Sequence, residues 1–500
     1  MEIIFENKTG RAYQEVGYVS RRVQENAECV VPDTNDDIGR IAAVQADVLL
    51  KSKDHGGKGI LVSGEARASL LYITEQQDRL SFVRLSKPFT AELELPEQNG
   101  DRRTQVSLHV QAVDARILNP RKVSVSFDLA AEMSCYRAAS IPVQTIVPEE
   151  AREELHVLLE DTEVLLPNAV CEKTFALTEQ FPFPEGKPEP AQLVSEQTVF
   201  AIQDCQLIGS KAIIKGSAEA HVVYLTEDAD CPVQTVFSTP FSQILELGEE
   251  QMDAGSVRVC VTGSYYDLTE SINGEKVLSM EVHALLQVVS RKRMQISSIT
   301  DAYSNRMPMK RKADALLLEA AGQEEKQILS VAQEIQVMED CRDVLCVLPT
   351  VSRVTLEQEK ISAAVHFDIV YRAEGGLLSA VRRTIMPEAA CSTNAIRIAD
   401  VRIRELKLQP DRESLSLQLE LEASLTCGQS REIQRLSAVE LDEEHPFRET
   451  DFPTLTLARN EGEGLWALAK AYHSSVEAIE KENDGEAMEY GRLLLIPKCV

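Results

Sequence analysis

The sequence predicts a mainly β protein, three repeated antiparallel units followed by a small βααβ module, and three observations lead there. Residues 58–89 and 210–241 share Gly64/Gly216, Tyr72/Tyr224, Thr74/Thr226, Pro88/Pro240 and Phe89/Phe241 at a constant offset of 152 positions, which marks an internal repeat. Both copies alternate apolar and polar residues with period two, as half-buried strands do. The C-terminal stretch instead carries helical spacing and the single tryptophan, Trp466.

In the first unit, expected over 14–137, Ile60, Val62, Ala66, Ala68, Leu70 and Tyr72 point one way with Gly64 among them, and Ser63, Glu65, Arg67 and Ser69 point the other. The glycine removes a side chain where another backbone passes close or the strand bulges. A polar turn, TEQQDR, leads to a return strand ending at Pro88-Phe89. A second hairpin follows, with Val106, Leu108 and Val110 on one strand, Asn119-Pro120 at the turn, and Val123, Val125, Phe127 and Leu129 on the other.

The second unit, 165–293, repeats both hairpins after the proline-rich lead FPFPEGKPEP, and Asn273-Gly274 is its strongest hairpin signal. The third, 330–436, has Tyr371 in the tyrosine place, Pro387 near the proline place, and Gln409-Pro410 at its second turn. Ala363 stands where the glycine was, so this unit is expected to diverge most there. A tyrosine recurring at one structural place fits a packed ring better than a catalytic group.

Between units the pattern changes. Residues 147–161 (VPEEAREELHVLLED) start at a proline with early acids and predict a short helix. The locally basic 291–327 stretch reads as a link, and 438–453 as an acidic, proline-bounded tether.

Five hundred residues exceed one ordinary core, and a net charge of −28 argues against nucleic acid or anionic lipid as the main partner. MEIIFENKTGRAYQEV lacks a basic region followed by an apolar run, and no stretch reaches about 18 apolar residues; a cytoplasmic location without a transmembrane segment is expected. The 11 cysteines are scattered and odd in number, and Cys341 and Cys346 lack metal-knuckle spacing. Reduced thiols and no metal are expected. GGKG at 56–59 lacks the spacing and following Ser/Thr of a phosphate loop and reads as a turn. With no HExxH, GxSxG or Cys-His pattern, the sequence points to neither an enzyme nor a cofactor.

The module spans 454–498. Leu465, Leu468, Ala469 and Tyr472 follow helical spacing, and Ser474 with Glu477 reads as a capping box opening a second helix with Val476 and Ile479 on its apolar face. Short strands over Thr454–Ala458 and Arg492–Ile496 flank the helices.

GEGLWALA at 462–469, SSVEAIEKEN ending at Asn483, and LLLIP at 493–497 resemble a LysM module. The upstream units, with their glycine, VVY-type strand and Pro-Phe ending, resemble the SPOCS (DUF3794) domain of endospore formers, as does DAYS at 301–304. Repeated SPOCS units before one LysM are similar to the clostridial SipL-type spore coat morphogenetic proteins. The resemblance implies a non-catalytic scaffold in the mother-cell cytoplasm, at the forespore surface. Its implied partner is the coat base-layer ATPase SpoIVA, alongside other coat proteins, met through Glu463, Leu465, Trp466, Tyr472, Asn483 and Tyr490. A second reading is a peptidoglycan or N-acetylglucosamine binder of the cell wall. Against it, Gly464 replaces the threonine of the LysM pattern, and the loops carry Glu461, Glu463, Asp484, Glu486 and Glu489.

Overall fold

The computed structural model describes residues 1–499 except 57–58, 77–78, 95–101, 228–230, 249–252, 339–340, 358, 411–413 and 484–489. Its first strands are β1 (Glu2–Ile4), β2 (Glu6–Val30), β3 (Ile38–His55), β4 (Gly59–Thr74), β5 (Leu80–Glu94), β6 (Arg102–Asn119) and β7 (Lys122–Ile146). One antiparallel sheet runs β3-β4-β5, and in a second β7 lies between β2 and β6. The alternating Ala66, Ala68, Leu70 and Tyr72 of β4 close on Val123, Val125, Phe127 and Leu129 of β7, which makes a two-sheet sandwich.

The same strand order occurs twice more. β8 (His156–Pro182), β9 (Gln192–Ile208), β10 (Lys211–Leu225), β11 (Pro232–Glu246), β12 (Ala254–Glu270) and β13 (Lys276–Tyr303) form sheets β9-β10-β11 and β8-β13-β12. β14 (Met309–Gln336), β15 (Cys341–Glu357), β16 (Lys360–Ala373), β17 (Leu378–Ile385), β18 (Glu388–Ala390), β19 (Ala395–Pro410) and β20 (Ser414–Leu441) form β15-β16-β17 and β14-β20-β19; β18 also pairs with β16, and β1 adds to β20. These strands reach past the expected 14–137, 165–293 and 330–436.

Tyr72, Tyr224 and Tyr371 are buried near the end of β4, β10 and β16. The Tyr72 hydroxyl donates to Asp36 O at 2.9 Å and the Tyr224 hydroxyl to Pro188 O at 2.8 Å. Each of these two rings fills a core while its hydroxyl ties down the loop that leads into its own sheet.

Near these tyrosines alternation gives way to apolar runs, LLYI, VVYL and IVY, because the strand ends are buried on both faces. Leu71 and Ile73, Val223 and Leu225, and Val370 with Cys346 and Leu348 pack in one cluster shared by all three sandwiches. A second shared cluster joins Ala12 and Ile141, Val164 and Ile296, and Leu318 and Ile433. Polar contacts fix the register between sandwiches. Gln287 accepts from Val106 N at 2.9 Å and donates to Val106 O at 2.8 Å, and Arg382 holds Asp368, which accepts from Val44 N at 3.2 Å.

The glycine sites separate two effects. A residue bulges from the neighbouring strand beside Gly64, Gly216 and, within one position, Ala363, so the third ladder slips like the others although its glycine is absent. What the glycine permits is the phenylalanine opposite. A Cβ on Gly64 would lie 2.5 Å from the Phe89 ring, and one on Gly216 would lie 2.3 Å from Ala201 O and 3.0 Å from Phe241. In the third sandwich Pro387 replaces the ring, its carbonyl accepting from Ala363 N, and alanine fits.

The connections differ from expectation. Residues 147–161 contain one 3-10 turn, Glu149–Ala151, and then β8 begins, because Leu158 and Leu159 pair with Asp301 and Ile299 along β13. The 291–327 stretch does join the second unit to the third, but as the end of β13, a turn and the start of β14; its basic runs, Arg291-Lys292-Arg293 and Lys310-Arg311-Lys312, lie on paired strands. Within 438–453, β20 continues to Leu441, and the chain then turns back so that Asp442 N and Phe447 N donate to Pro308 O and Arg306 O. Asn273-Gly274 lies in a turn closed by Ser271 and Glu275. Part of GGKG, residues 57–58, falls outside the described residues. No disulfide joins any of the eleven cysteines.

Candidate functional site: the C-terminal module

Past the sandwiches the chain forms β21 (Leu455–Arg459), α1 (Leu465–Ala471), α2 (Val476–Glu482) and β22 (Leu493–Pro497), with β21 and β22 antiparallel. Leu465, Leu468, Ala469, Ile479, Leu494 and Ile496 make its core. The cap of α2 is Ser475, whose hydroxyl accepts from Ala478 N at 3.1 Å, one residue beyond the expected Ser474. Ser474 is buried and its hydroxyl donates to Pro497 O instead.

The module is seated on the end of β13 and the turn after it. Tyr303 joins the module core, its ring 4.8 Å from that of Trp466 and stacked at 4.8 Å on His156. The Tyr303 hydroxyl and Asn305 Nδ2 both donate to Ser474 O at 2.9 Å. Trp466 Nε1 donates to Asp301 Oδ2 at 2.9 Å, Lys470 donates to the same oxygen, and Arg311 lies 3.2 Å from Oδ1. Burial opposes the charge on Asp301, but these donors outweigh it and hold its carboxyl below the usual range. On a second edge Phe447 and Phe452 pack on His473, the latter ring 3.8 Å away. Burial lowers the pKa of both His156 and His473.

The six residues expected at a partner surface therefore divide. Leu465 is core, and Asn483 is 7 % exposed, its amide bonded to Ile479 O, Leu495 O and Leu495 N. Trp466 is half-buried against Asp301 and Tyr303. Glu463, Tyr472 and Tyr490 are exposed, Tyr490 at 81 %. Asp484, Glu486 and Glu489 fall outside the described residues.

The residues missed in sequence are Leu455, Leu457, Leu493 and Leu495, which leave an exposed apolar face on the two-stranded sheet where Leu457 pairs with Leu495. Their alternation with Ala458, Leu494 and Ile496 was the available signal. Also missed was Asp301, whose partners lie 165 and 169 residues away in the chain. Among the described residues no group of three or more His, Cys, Asp or Glu is placed to hold a metal ion, and no helix is long and apolar enough to cross a membrane.

Residues 37–118 match the family described as SipL, SPOCS domain. The match takes in β3 to β5 and most of β6, the heart of the first sandwich. Residues 37–118 are thus a SPOCS domain, and that family, generally non-catalytic, implies a role in spore coat assembly. No curated protein and no solved structure matches the chain.

Proposed function

We propose that the chain is a non-catalytic scaffold of the spore coat, with SPOCS units in all three sandwiches and a LysM module at its C-terminus that engages a SpoIVA-like coat ATPase at the forespore surface. The match over residues 37–118 carries this reading. It is supported by the common strand order of the sandwiches and by the matching loop ties of Tyr72 and Tyr224. The βααβ order, with Trp466 beside the first helix's buried Leu465, supports the module assignment.

Seating on Asp301, Tyr303 and Asn305 occupies Trp466, so the partner meets residues that stay exposed: Glu463, Tyr472 and Tyr490 together with the leucine face. Exposed tyrosines are the kind of anchor that dominates protein interfaces. Capture of a purified SpoIVA-like ATPase and of purified peptidoglycan by the full chain tests the reading. Retention of the ATPase, lost in a Leu457→Asp/Tyr490→Ala variant, is expected; retention by peptidoglycan alone would replace the scaffold with a cell-wall binder.

A further inference from the structure

A cleft of about 440 Å³ lies between the first and second sandwiches, lined among the described residues by Arg11, Lys53, Arg102 and Arg103 and by two carboxylates, Glu172 and Glu246. In a chain of net charge −28 this local excess of cations is anomalous. Both carboxylates are already committed, Glu172 to Lys53 and Glu246 to Lys211 at 3.5 Å. Among the described residues Arg11 and Arg102 have no ion-pair partner. Two further lining residues, Thr104 and Asn168, are 7 % and 8 % exposed, yet among the described residues Thr104 Oγ1 and Asn168 Nδ2 have no hydrogen-bond partner. Like-charged arginines gathered from β2 and β6 repel one another unless an anion sits among them. An unpaired buried amide also costs free energy that a ligand would recover.

We propose that this cleft binds a soluble, multiply charged phosphate anion of diphosphate size or larger. Donors arriving from several strands suit a tetrahedral phosphate, whose oxygens accept from many directions, better than a planar carboxylate, which one guanidinium fork satisfies. The volume falls within the ordinary range for small-molecule sites, and its recess between two sandwiches favours a free anion over a membrane headgroup.

Titration calorimetry of the full chain with inorganic pyrophosphate at low salt tests this. Binding of one pyrophosphate per chain is expected, weakened about tenfold or more by Arg11→Ala or Arg102→Ala. Arg116→Ala, an arginine whose side chain is 83 % exposed outside the cleft, should leave the affinity unchanged. Unaltered melting of the variants separates lost binding from lost folding. No binding would mean that the chain's own carboxylates neutralise the cleft and would overturn the proposal; so would equal weakening by Arg116→Ala. Flotation with phosphatidylglycerol vesicles in the absence of any pyrophosphate response would overturn the soluble-anion assignment.

Discussion

The body of three sandwiches and the C-terminal module are held by different kinds of contact. Between sandwiches the joints are apolar clusters to which all three contribute, such as the one containing Leu71, Val223 and Val370. The module joins the body through the Tyr303 ring, the packing of Phe447 and Phe452 on His473, and a few polar contacts made with Asp301, Tyr303 and Asn305. Shared apolar cores make the body melt as a unit, whereas a small polar seat can be opened without unfolding either side. On the function proposed above, the contrast would let the body stay anchored while the module answers to a partner.

The largest effect that tests the contrast is in the body. Tyr224 is fully buried and its ring meets Phe183 at 5.3 Å, so Tyr224→Ala should destabilise by about 3–5 kcal/mol. Chemical denaturation should show the whole body shifting while Trp466 emission before the transition stays unchanged; separate sandwich transitions would break the picture of a single body.

Next comes the glycine site. Gly216→Ala should cost about 1–3 kcal/mol, because the new methyl meets backbone at Ala201 as well as the Phe241 ring. Ala363→Gly, where no ring stands opposite, should cost no more than about 1 kcal/mol. Equal costs at the two sites would show that the glycine is not there for the ring.

In the seat itself, Asp301→Ala removes the acceptor for Trp466 and Lys470 and should weaken docking by about 1–3 kcal/mol. The single tryptophan reports it directly: its emission should shift to the red with no change in the melting of the body. A shift in that melting would make Asp301 part of the body's core instead.

The smallest effect is that of pH. His156 and His473 have pKa values lowered by burial from the ordinary 6.5, so the undocked state takes up protons first. The contribution of these rings to docking is fully present above about pH 6.5 and is lost as pH falls through the lowered values. Asp301, also lowered, stays ionised in that window and adds nothing to the slope. Trp466 emission followed from pH 7.5 to 5 should move red; a flat profile would show that neither ring is protonated on release.

Much of the body was legible because period-two alternation and a fixed 152-residue offset are local signals. The runs LLYI and VVYL were legible as strand but not as contact between sandwiches, since only the assembled fold shows what covers a second face. Basic residues made 291–327 read as a link, although alternation continues through Met294, Ile296 and Ser298 as the strand pairs with β8. In the module the helices were legible from spacing, but core and surface were not: Leu465 and Tyr472 share one helical pattern, yet Leu465 is 7 % and Tyr472 38 % exposed. Asp301 could not be found locally at all.

The most direct test of the central claim is capture of a SpoIVA-like ATPase by the full chain and by a chain truncated before Asp451. The truncated chain should keep the melting transition of the body and lose capture. Undiminished capture by the truncated chain would contradict the assignment and move partner binding onto the sandwiches.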